Sequence, residues 1–215
     1  MSRSPNCAWG LYVILDSKLS GLGHLEAATR ALAGGAKVIQ LRDKGARFED
    51  LLQVGHVLRK LTREAGATLL VNDNPYLAKE IEADGVHLGQ EDFPPYIARE
   101  TLGPGAIIGI STHTKQQALL ASTQPVSYIA VGPVFPTQSK QSSNSPVGLE
   151  HIKWVRKHVS QPIVAIGGIT SAAIPDVIRA GADNIAVIRE VMASGEIEAK
   201  VRELSELIDN AKAVR

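Results

Sequence analysis

Eight short apolar runs, rich in β-branched residues, recur along the whole chain of 215 residues. They are LYVIL from residue 11, VIQL from 38, TLLV from 68, GVHL from 85, AIIGI from 106, YIAV from 128, PIVAI from 162 and NIAVI from 184. Amphipathic stretches separate them, such as residues 48–63, where Phe48, Leu51 and Leu58 fall at helical spacing. Strands that are apolar on both faces and alternate with helices predict a parallel sheet covered by helices.

Eight such units predict that the α/β sheet closes into a (β/α)8 TIM barrel, as a single domain over residues 1–215. The alternative is an open doubly wound sheet, but DSKLSGLGHLE, which follows the first strand, lacks the GxGxxG fingerprint. Four phrases, GGAKVIQL, AGATLLV, ADGVHL and AGADNIAV, place glycine between a helix and the next strand. We predict positive φ at these glycines, and a flexible N-terminal segment over residues 1–10.

Charge and cysteine content exclude several classes of protein. The formal net charge is +1 and the basic residues are scattered, which argues against a nucleic-acid surface. The single cysteine, Cys7, cannot form an internal disulfide, and the start MSRSPNCAWG lacks the apolar segment of a secretory signal. No run reaches the roughly 18 apolar residues of a membrane span. We therefore predict a cytoplasmic protein, and leave a homo-oligomer open.

Polar residues follow the predicted strands at the end where TIM barrels carry their active sites. Strand alternation directs Gln40, Arg42 and Lys44 to one side, which predicts an anion site, although such cations also form surface ion pairs. Neighbouring strands bring Asp73 and Asp92 to the same rim. One or two carboxylates with substrate phosphates commonly hold Mg²⁺, so we predict a magnesium site here. The structural alternative is that acids after strand 4 cap the next helix.

The later strands end in small and hydroxylated residues. Ser111 ends strand 5, and the segment GPVFPTQSK after strand 6 carries Thr137, Ser139 and Lys140, which predicts an oxyanion cradle or a solvated loop. Gly167 after strand 7, with Ile188 and Arg189 after strand 8, predicts a phosphate site, because barrels often bind phosphate in these loops. His87 lies within strand 4, where a structural imidazole and a ligand contact remain equal alternatives. Residues 136–146 are predicted to form a lid that orders over substrates.

Seven motifs in order resemble the thiamine-phosphate synthase family: QLRDK at 40, VND at 71, DGVHLGQED at 84, GISTH at 109, VGPVFPTQSK at 131, AIGGIT at 165 and GADNIAVI at 181. The resemblance implies an enzyme that joins 4-amino-5-hydroxymethyl-2-methylpyrimidine diphosphate to 4-methyl-5-(2-phosphoethyl)thiazole and releases pyrophosphate. It also implies a dissociative mechanism, in which the thiazole nitrogen captures a pyrimidine carbocation without a protein nucleophile.

The resemblance carries the family's roles to this chain by position. It implies that the diphosphate is held by Arg42, Lys44, Asn72, Ser111 and Lys140, of which Arg42, Lys44, Ser111 and Lys140 are the catalytic candidates. Asp73 and Asp92 would ligate Mg²⁺, and Gln40 and His87 would border the pyrimidine. The thiazole phosphate would be surrounded by Thr137, Ser139, Gly167, Ile188 and Arg189. Arg189 departs from the serine of some relatives.

Two other functions remain alternatives. A thiazole tautomerase uses the same barrel without a diphosphate, and it generally lacks the acid after HLGQ that is Asp92 here. A non-catalytic phosphate-binding barrel would need the anion sites but not two aligned carboxylates. Asp92, Lys44 and the Asn72–Asp73 pair therefore favour the synthase.

Overall fold

The structure, a computed structural model, describes residues 7–137 and 145–215. Eight parallel strands pair in chain order and close into one barrel, with β1 bonded to both β2 and β8. The strands are β1 Leu11–Ile14, β2 Val38–Leu41, β3 Thr68–Asn72, β4 Gly85–Leu88, β5 Ile107–Thr112, β6 Tyr128–Val131, β7 Ile163–Ile166 and β8 Asn184–Val187. Each predicted apolar run overlaps one strand, so the predicted (β/α)8 barrel is confirmed.

Helices follow the strands and cover the outside of the barrel. They are α1 Ser17–Ser20, α2 His24–Ala33, α3 Phe48–Glu64, α4 Pro75–Glu80, α5 Pro95–Leu102, α6 Lys115–Ser122, α7 Gly148–His158, α8 Ile174–Arg179, α9 Arg189–Met192 and α10 Ile197–Ala213, with a 3₁₀ turn at Ser171–Ala173. The predicted helix over 48–63 is α3. Among the described residues, no helix is both long enough and apolar enough to cross a membrane.

The turns from helix to strand differ from the prediction at one of the four phrases. Positive φ is found as predicted at Gly35, Gly66 and Gly181. At ADGVHL, however, the left-handed conformation is adopted by Glu82, the residue before this phrase, with φ 53°, and Gly85 already belongs to β4. Gly85 is needed for space instead, since a Cβ there would lie 1.8 Å from the carbonyl oxygen of Ile107. Glycine is therefore needed at position 85 because β4 and β5 approach closely there, and not because of a positive φ.

The N-terminal floor of the barrel is closed by residues 7–10. The side-chain oxygen of Asn184 accepts hydrogen bonds from the backbone of Trp9 and Gly10 at 2.8 and 2.9 Å, and its amide donates to the carbonyl of Cys7 at 2.7 Å. Cys7 is buried. The prediction that residues 1–10 are flexible stays a prediction, because residues 1–6 lie outside the described residues, while residues 7–10 make these contacts.

Candidate active site

A cavity of about 530 Å³ opens at the carboxyl ends of strands β4 to β8. Five of the predicted site residues line it: Ser111, Thr137, Gly167, Ile188 and Arg189. They come from four different strand ends and loops, so the closed barrel is what brings them together. Ser139 and Lys140, and most of the predicted lid over 136–146, lie outside the described residues.

The loops after β6 and β7 form one wall of the cavity because they continue to pair beyond the strands. Val134 donates its N–H to the carbonyl of Ile166, and Phe135 donates to that of Gly167, both at 2.9 Å. Gly167 and Gly168 have φ of 98° and 66°, and a Cβ on Gly168 would lie 2.5 Å from the carbonyl oxygen of Pro136. Glycine is thus required for this close approach.

Arg42 extends from the end of β2 into a largely buried position, with its side chain 10% exposed. Its Nη1 lies 3.4 Å from Asp16 Oδ2, and its buried Nε has no hydrogen-bond partner among the described residues. Arg59, on α3, also has an unpartnered Nε, but both of its terminal nitrogens bond Asp84 at 2.6 and 2.9 Å. Arg42 therefore keeps more donor capacity for an anion than a structural arginine of this barrel.

Asp43, next to Arg42 in the chain, is bonded by its own local partners, Gly45 and Ser17. Burial raises the pKa of this carboxyl, but bonds from the N–H of Gly45 and the hydroxyl of Ser17, with the nearby charges of His24 and Lys18, outweigh burial and lower the pKa overall. Asp43 is thus held ionised as a local structural group.

Asp73 and Asp92 follow β3 and β4, which are neighbours in the barrel. Asp73 has φ 65°, its N–H donates to the carbonyl of His87 at 2.8 Å, and its carboxylate lies 3.6 Å from Lys44 Nζ. The Asp92 carboxylate accepts the N–H of Gly89, a residue of the cavity wall, at 2.7 Å. The helix after this loop, α5, has Pro94 as its N-cap and no side-chain cap. Asp92 is therefore not the helix cap that the structural alternative required.

Two carboxylates on adjacent strand ends fit Mg²⁺, which needs one or two protein carboxylates when substrate phosphates and water complete its shell. Lys44, beside Asp73, is 64% exposed, so its ion pair contributes little to stability. Over residues 7–137 and 145–215, no group of three or more His, Cys, Asp or Glu side chains is arranged to hold a metal ion.

A polar layer crosses the barrel interior beneath the cavity. Gln40 contacts Tyr12, Tyr12 contacts Tyr128, Tyr128 contacts His87, and His87 contacts Ser111 at the cavity floor. Burial raises the pKa of both phenols, so both tyrosines remain neutral at ordinary pH. His87 therefore has the hydrogen-bonded surroundings of a structural imidazole and also touches a residue of the cavity. Asn72 ends β3 beside this layer, in register with His87.

The sequence analysis missed Tyr12, Tyr128 and Glu190. Both tyrosines were counted as apolar strand residues, although a buried hydroxyl needs a partner and could have signalled a polar layer. Glu190 lines the cavity, and its carboxylate accepts the N–H and the hydroxyl of Ser171 at 3.0 and 2.9 Å. An acid directly after Arg189 was the available signal. Arg189 itself is exposed at the first position of α9.

Comparison with known proteins gives consistent similarities along the chain. The family model described as thiamine monophosphate synthase matches residues 11–191. The thiamine-phosphate synthase of Moorella thermoacetica is 44% identical over 205 residues, which cover 95% of this chain and 98% of that protein. The enzyme of the same name from Chloroflexus aurantiacus is 43% identical over 209 residues, covering 97% and 96%. The similarity therefore extends over nearly the full length of both relatives.

A solved structure is similar in both sequence and fold. Thiamine phosphate pyrophosphorylase from Pyrococcus furiosus superposes with a TM-score of 0.88 at 37% identity. The match covers 95% of this chain and 97% of that one. The barrel described above is thus shared by a relative whose sequence is also similar.

Proposed function

The chain belongs to the thiamine monophosphate synthase family, whose members are transferases. On that premise, we propose which parts of the rim and cavity bind each of the two substrates. The pyrimidine diphosphate binds over β2 to β5, and the thiazole phosphate binds in the cavity wall formed after β6 to β8. The reaction joins the two and releases pyrophosphate. The resemblance seen in the sequence motifs is confirmed by the family match, whereas the substrate assignment is the proposal.

The observation that carries the proposal is the position of Arg42. A guanidinium that is 10% exposed, has one contact at 3.4 Å and keeps a buried Nε without a described partner is suited to a diphosphate. Lys44 at the rim and Ser111 at the cavity floor supply further donors. Together they would bind the diphosphate and stabilise the charge that develops as pyrophosphate departs. Lys140, outside the described residues, has this role by resemblance.

Asp73 and Asp92 are the residues that would hold Mg²⁺. When bound with the diphosphate, the metal would neutralise charge on the leaving pyrophosphate. The protein's own contribution is to keep both carboxylates at one rim and to hold Asp92 through the N–H of Gly89. Lys44 beside Asp73 balances the negative charge before substrate binds.

The second substrate site rests on the glycine loop after β7. Gly167 and Gly168 present backbone groups without side chains, and Thr137, Ile188 and Arg189 complete the wall. A thiazole phosphate held here would face the pyrimidine site across the cavity floor. Capture of the pyrimidine carbocation by the thiazole nitrogen then needs positioning and exclusion of water, and no protein nucleophile.

The test is an assay of purified protein with both substrates and Mg²⁺ that measures thiamine phosphate and pyrophosphate. We expect both products in equal amounts, and neither when Mg²⁺ or either substrate is omitted. Isomerisation of a thiazole without diphosphate would indicate the tautomerase, and binding without turnover would indicate a non-catalytic barrel.

A variant pair links the assay to the proposed site. Arg42→Gln should lower kcat/KM by about 100-fold or more, because it removes a buried donor to the leaving group. Arg47→Gln is the matched control, since Arg47 pairs with Asp50 on the surface. Equal activity of both variants would contradict the placement of the diphosphate at Arg42.

A further inference from the structure

Five polar side chains form a continuous hydrogen-bonded chain from β2 to the cavity floor. The distances are 2.7 Å from Gln40 Nε2 to Tyr12 Oη, 3.1 Å between the hydroxyls of Tyr12 and Tyr128, 2.8 Å from Tyr128 Oη to His87 Nδ1, and 2.8 Å from His87 Nε2 to Ser111 Oγ. Both tyrosines are fully buried. Ser111 lines the cavity, so the chain connects the barrel interior to the site.

The amide of Gln40 sets the direction of this chain. An amide nitrogen can only donate, so Tyr12 Oη accepts from Gln40 and its own hydrogen is directed to Tyr128. Tyr128, having accepted that hydrogen, donates to His87 Nδ1. A neutral imidazole that accepts at Nδ1 carries its proton on Nε2, and His87 therefore donates to Ser111 Oγ.

The opposite direction is disfavoured by a buried group without a partner. If Ser111 donated to His87 and the chain ran towards Gln40, Tyr12 Oη would accept from both Tyr128 and Gln40. Its own hydrogen would then have no acceptor among the partners that the structure gives Tyr12. A buried donor left unpaired costs the full desolvation of that group, so the direction away from Gln40 is selected.

We propose that Tyr128 is a positioning residue that fixes His87 as the Nε2–H tautomer and so turns the hydroxyl hydrogen of Ser111 towards an anion in the cavity. The anion is the diphosphate, so this inference rests on the proposed function. Ser111 Oγ already accepts from His87, which leaves its hydrogen to be donated elsewhere. If His87 carried its proton on Nδ1 instead, the Ser111 hydroxyl would donate its hydrogen to His87 Nε2. Ser111 would then present only a lone pair to the anion.

Packing holds Tyr128 in the required position. Its ring lies directly over Gly109, where a Cβ would come within 2.0 Å of Tyr128 Cζ. The Trp9 ring contacts it edge-on, with centroids 5.5 Å apart, and the His87 ring is nearly parallel to it at 5.7 Å. These contacts leave the phenol little freedom to turn its hydroxyl away from His87.

The first experiment measures the tautomer of His87 in the unmodified protein. Long-range proton–nitrogen correlation spectra show which ring nitrogen bears the proton, and His87→Gln identifies the signals among the six histidines. The proposal requires the proton on Nε2 of the neutral ring. A proton on Nδ1 in the wild-type protein would overturn it, whatever the variants do.

The second experiment measures binding of inorganic pyrophosphate with Mg²⁺ by calorimetry. Ser111→Ala should weaken binding roughly tenfold, the loss of one hydrogen bond to a charged group. Tyr128→Phe should weaken it by about threefold or more and give a mixture of His87 tautomers. Because Tyr128 acts through Ser111, the double variant should bind no more weakly than Ser111→Ala alone. Additive losses would overturn the proposal.

Tyr12→Phe is the matched control, because it removes an equally buried hydroxyl one step further from Ser111. In this variant His87 Nδ1 is the remaining acceptor that the structure gives the Tyr128 hydroxyl, so Tyr128 still donates to it without Gln40. The tautomer should therefore be kept, and pyrophosphate binding should stay within about twofold of wild type. Equal losses from Tyr12→Phe and Tyr128→Phe would mean a general packing effect and refute the positioning role. If Ser111→Ala binds normally while His87 is the Nε2–H tautomer, the placement of the diphosphate at Ser111 fails instead.

Discussion

Replacing Gly109 with alanine tests the geometry of the interior layer most directly. Gly109 lies on β5, in register with Tyr128 on β6, and the Tyr128 ring folds back over it. An alanine Cβ would lie 2.0 Å from Cζ, 2.3 Å from Oη and 2.4 Å from Cε1 of that ring. Ordinary contact begins at 3.4 Å, so the ring must move by about 1.4 Å, from 3.4 minus 2.0.

The expected cost follows from what this movement breaks. Overpacking a well-packed core costs about 1–3 kcal/mol. A ring displaced this far also loses its bonds to Tyr12 and His87, each worth about 1 kcal/mol. We therefore expect Gly109→Ala to lower the free energy of unfolding by about 3–5 kcal/mol, a large part of the roughly 5–15 kcal/mol of a typical protein.

Urea unfolding followed by circular dichroism measures this change. With an m-value of about 2–3 kcal/mol per molar, the midpoint should fall by about 1–2.5 M. Gly105→Ala is the control, because a Cβ there meets nothing within 4 Å. Its midpoint should stay close to that of wild type. A Gly109→Ala midpoint within about 0.3 M of the control, on the same slope, would refute the close approach of Tyr128.

Three further predictions concern the metal, the lid and the cysteine. Asp73→Asn and Asp92→Asn should each nearly abolish turnover at saturating Mg²⁺ while the fold is kept. Asparagine tolerates the left-handed φ of Asp73 and keeps the oxygen that accepts the Gly89 N–H at Asp92, but it removes the charge. Glu91→Ala should reduce turnover less, and a larger loss from Glu91→Ala than from Asp92→Asn would exchange the roles of Glu91 and Asp92. Hydrogen exchange over residues 136–146 should slow when pyrophosphate, Mg²⁺ and thiazole phosphate bind, and equal exchange in both states would show a preformed loop. Cys7 is 2% exposed and burial raises the pKa of its thiol to about 12, so a thiol reagent at pH 8 should label it far more slowly in native protein than in urea; equal rates would contradict its burial.

Candidate site residues could be predicted from the sequence where polar residues directly follow a predicted strand. Alternation and strand order predict Gln40, Arg42, Asp73 and Asp92 at one rim. The structure places Gln40 deeper, in the buried layer where it bonds Tyr12. The groups with which each of these side chains forms hydrogen bonds or ion pairs could not be predicted from the same pattern. Asp43 and Arg42 are adjacent in sequence, yet the Asp43 carboxylate is bonded by Gly45 and Ser17, whereas Arg42 keeps a buried Nε without a partner among the described residues.

Sequence alone determined the barrel, since eight apolar runs alternating with amphipathic helices leave few other ways to bury both faces of a parallel sheet. It also determined the family, through seven motifs in order. The polar layer of Tyr12, Tyr128 and His87 was decided by the tertiary structure. Tyr12 and Tyr128 are 116 positions apart in the sequence, and His87 and Tyr128 are 41 apart. Their side chains meet only because β1, β4 and β6 face one another across the closed barrel. The local sequence pattern determines which residues of each strand and helix are buried. Contacts across the barrel depend instead on how the sheet closes and on the register between its strands.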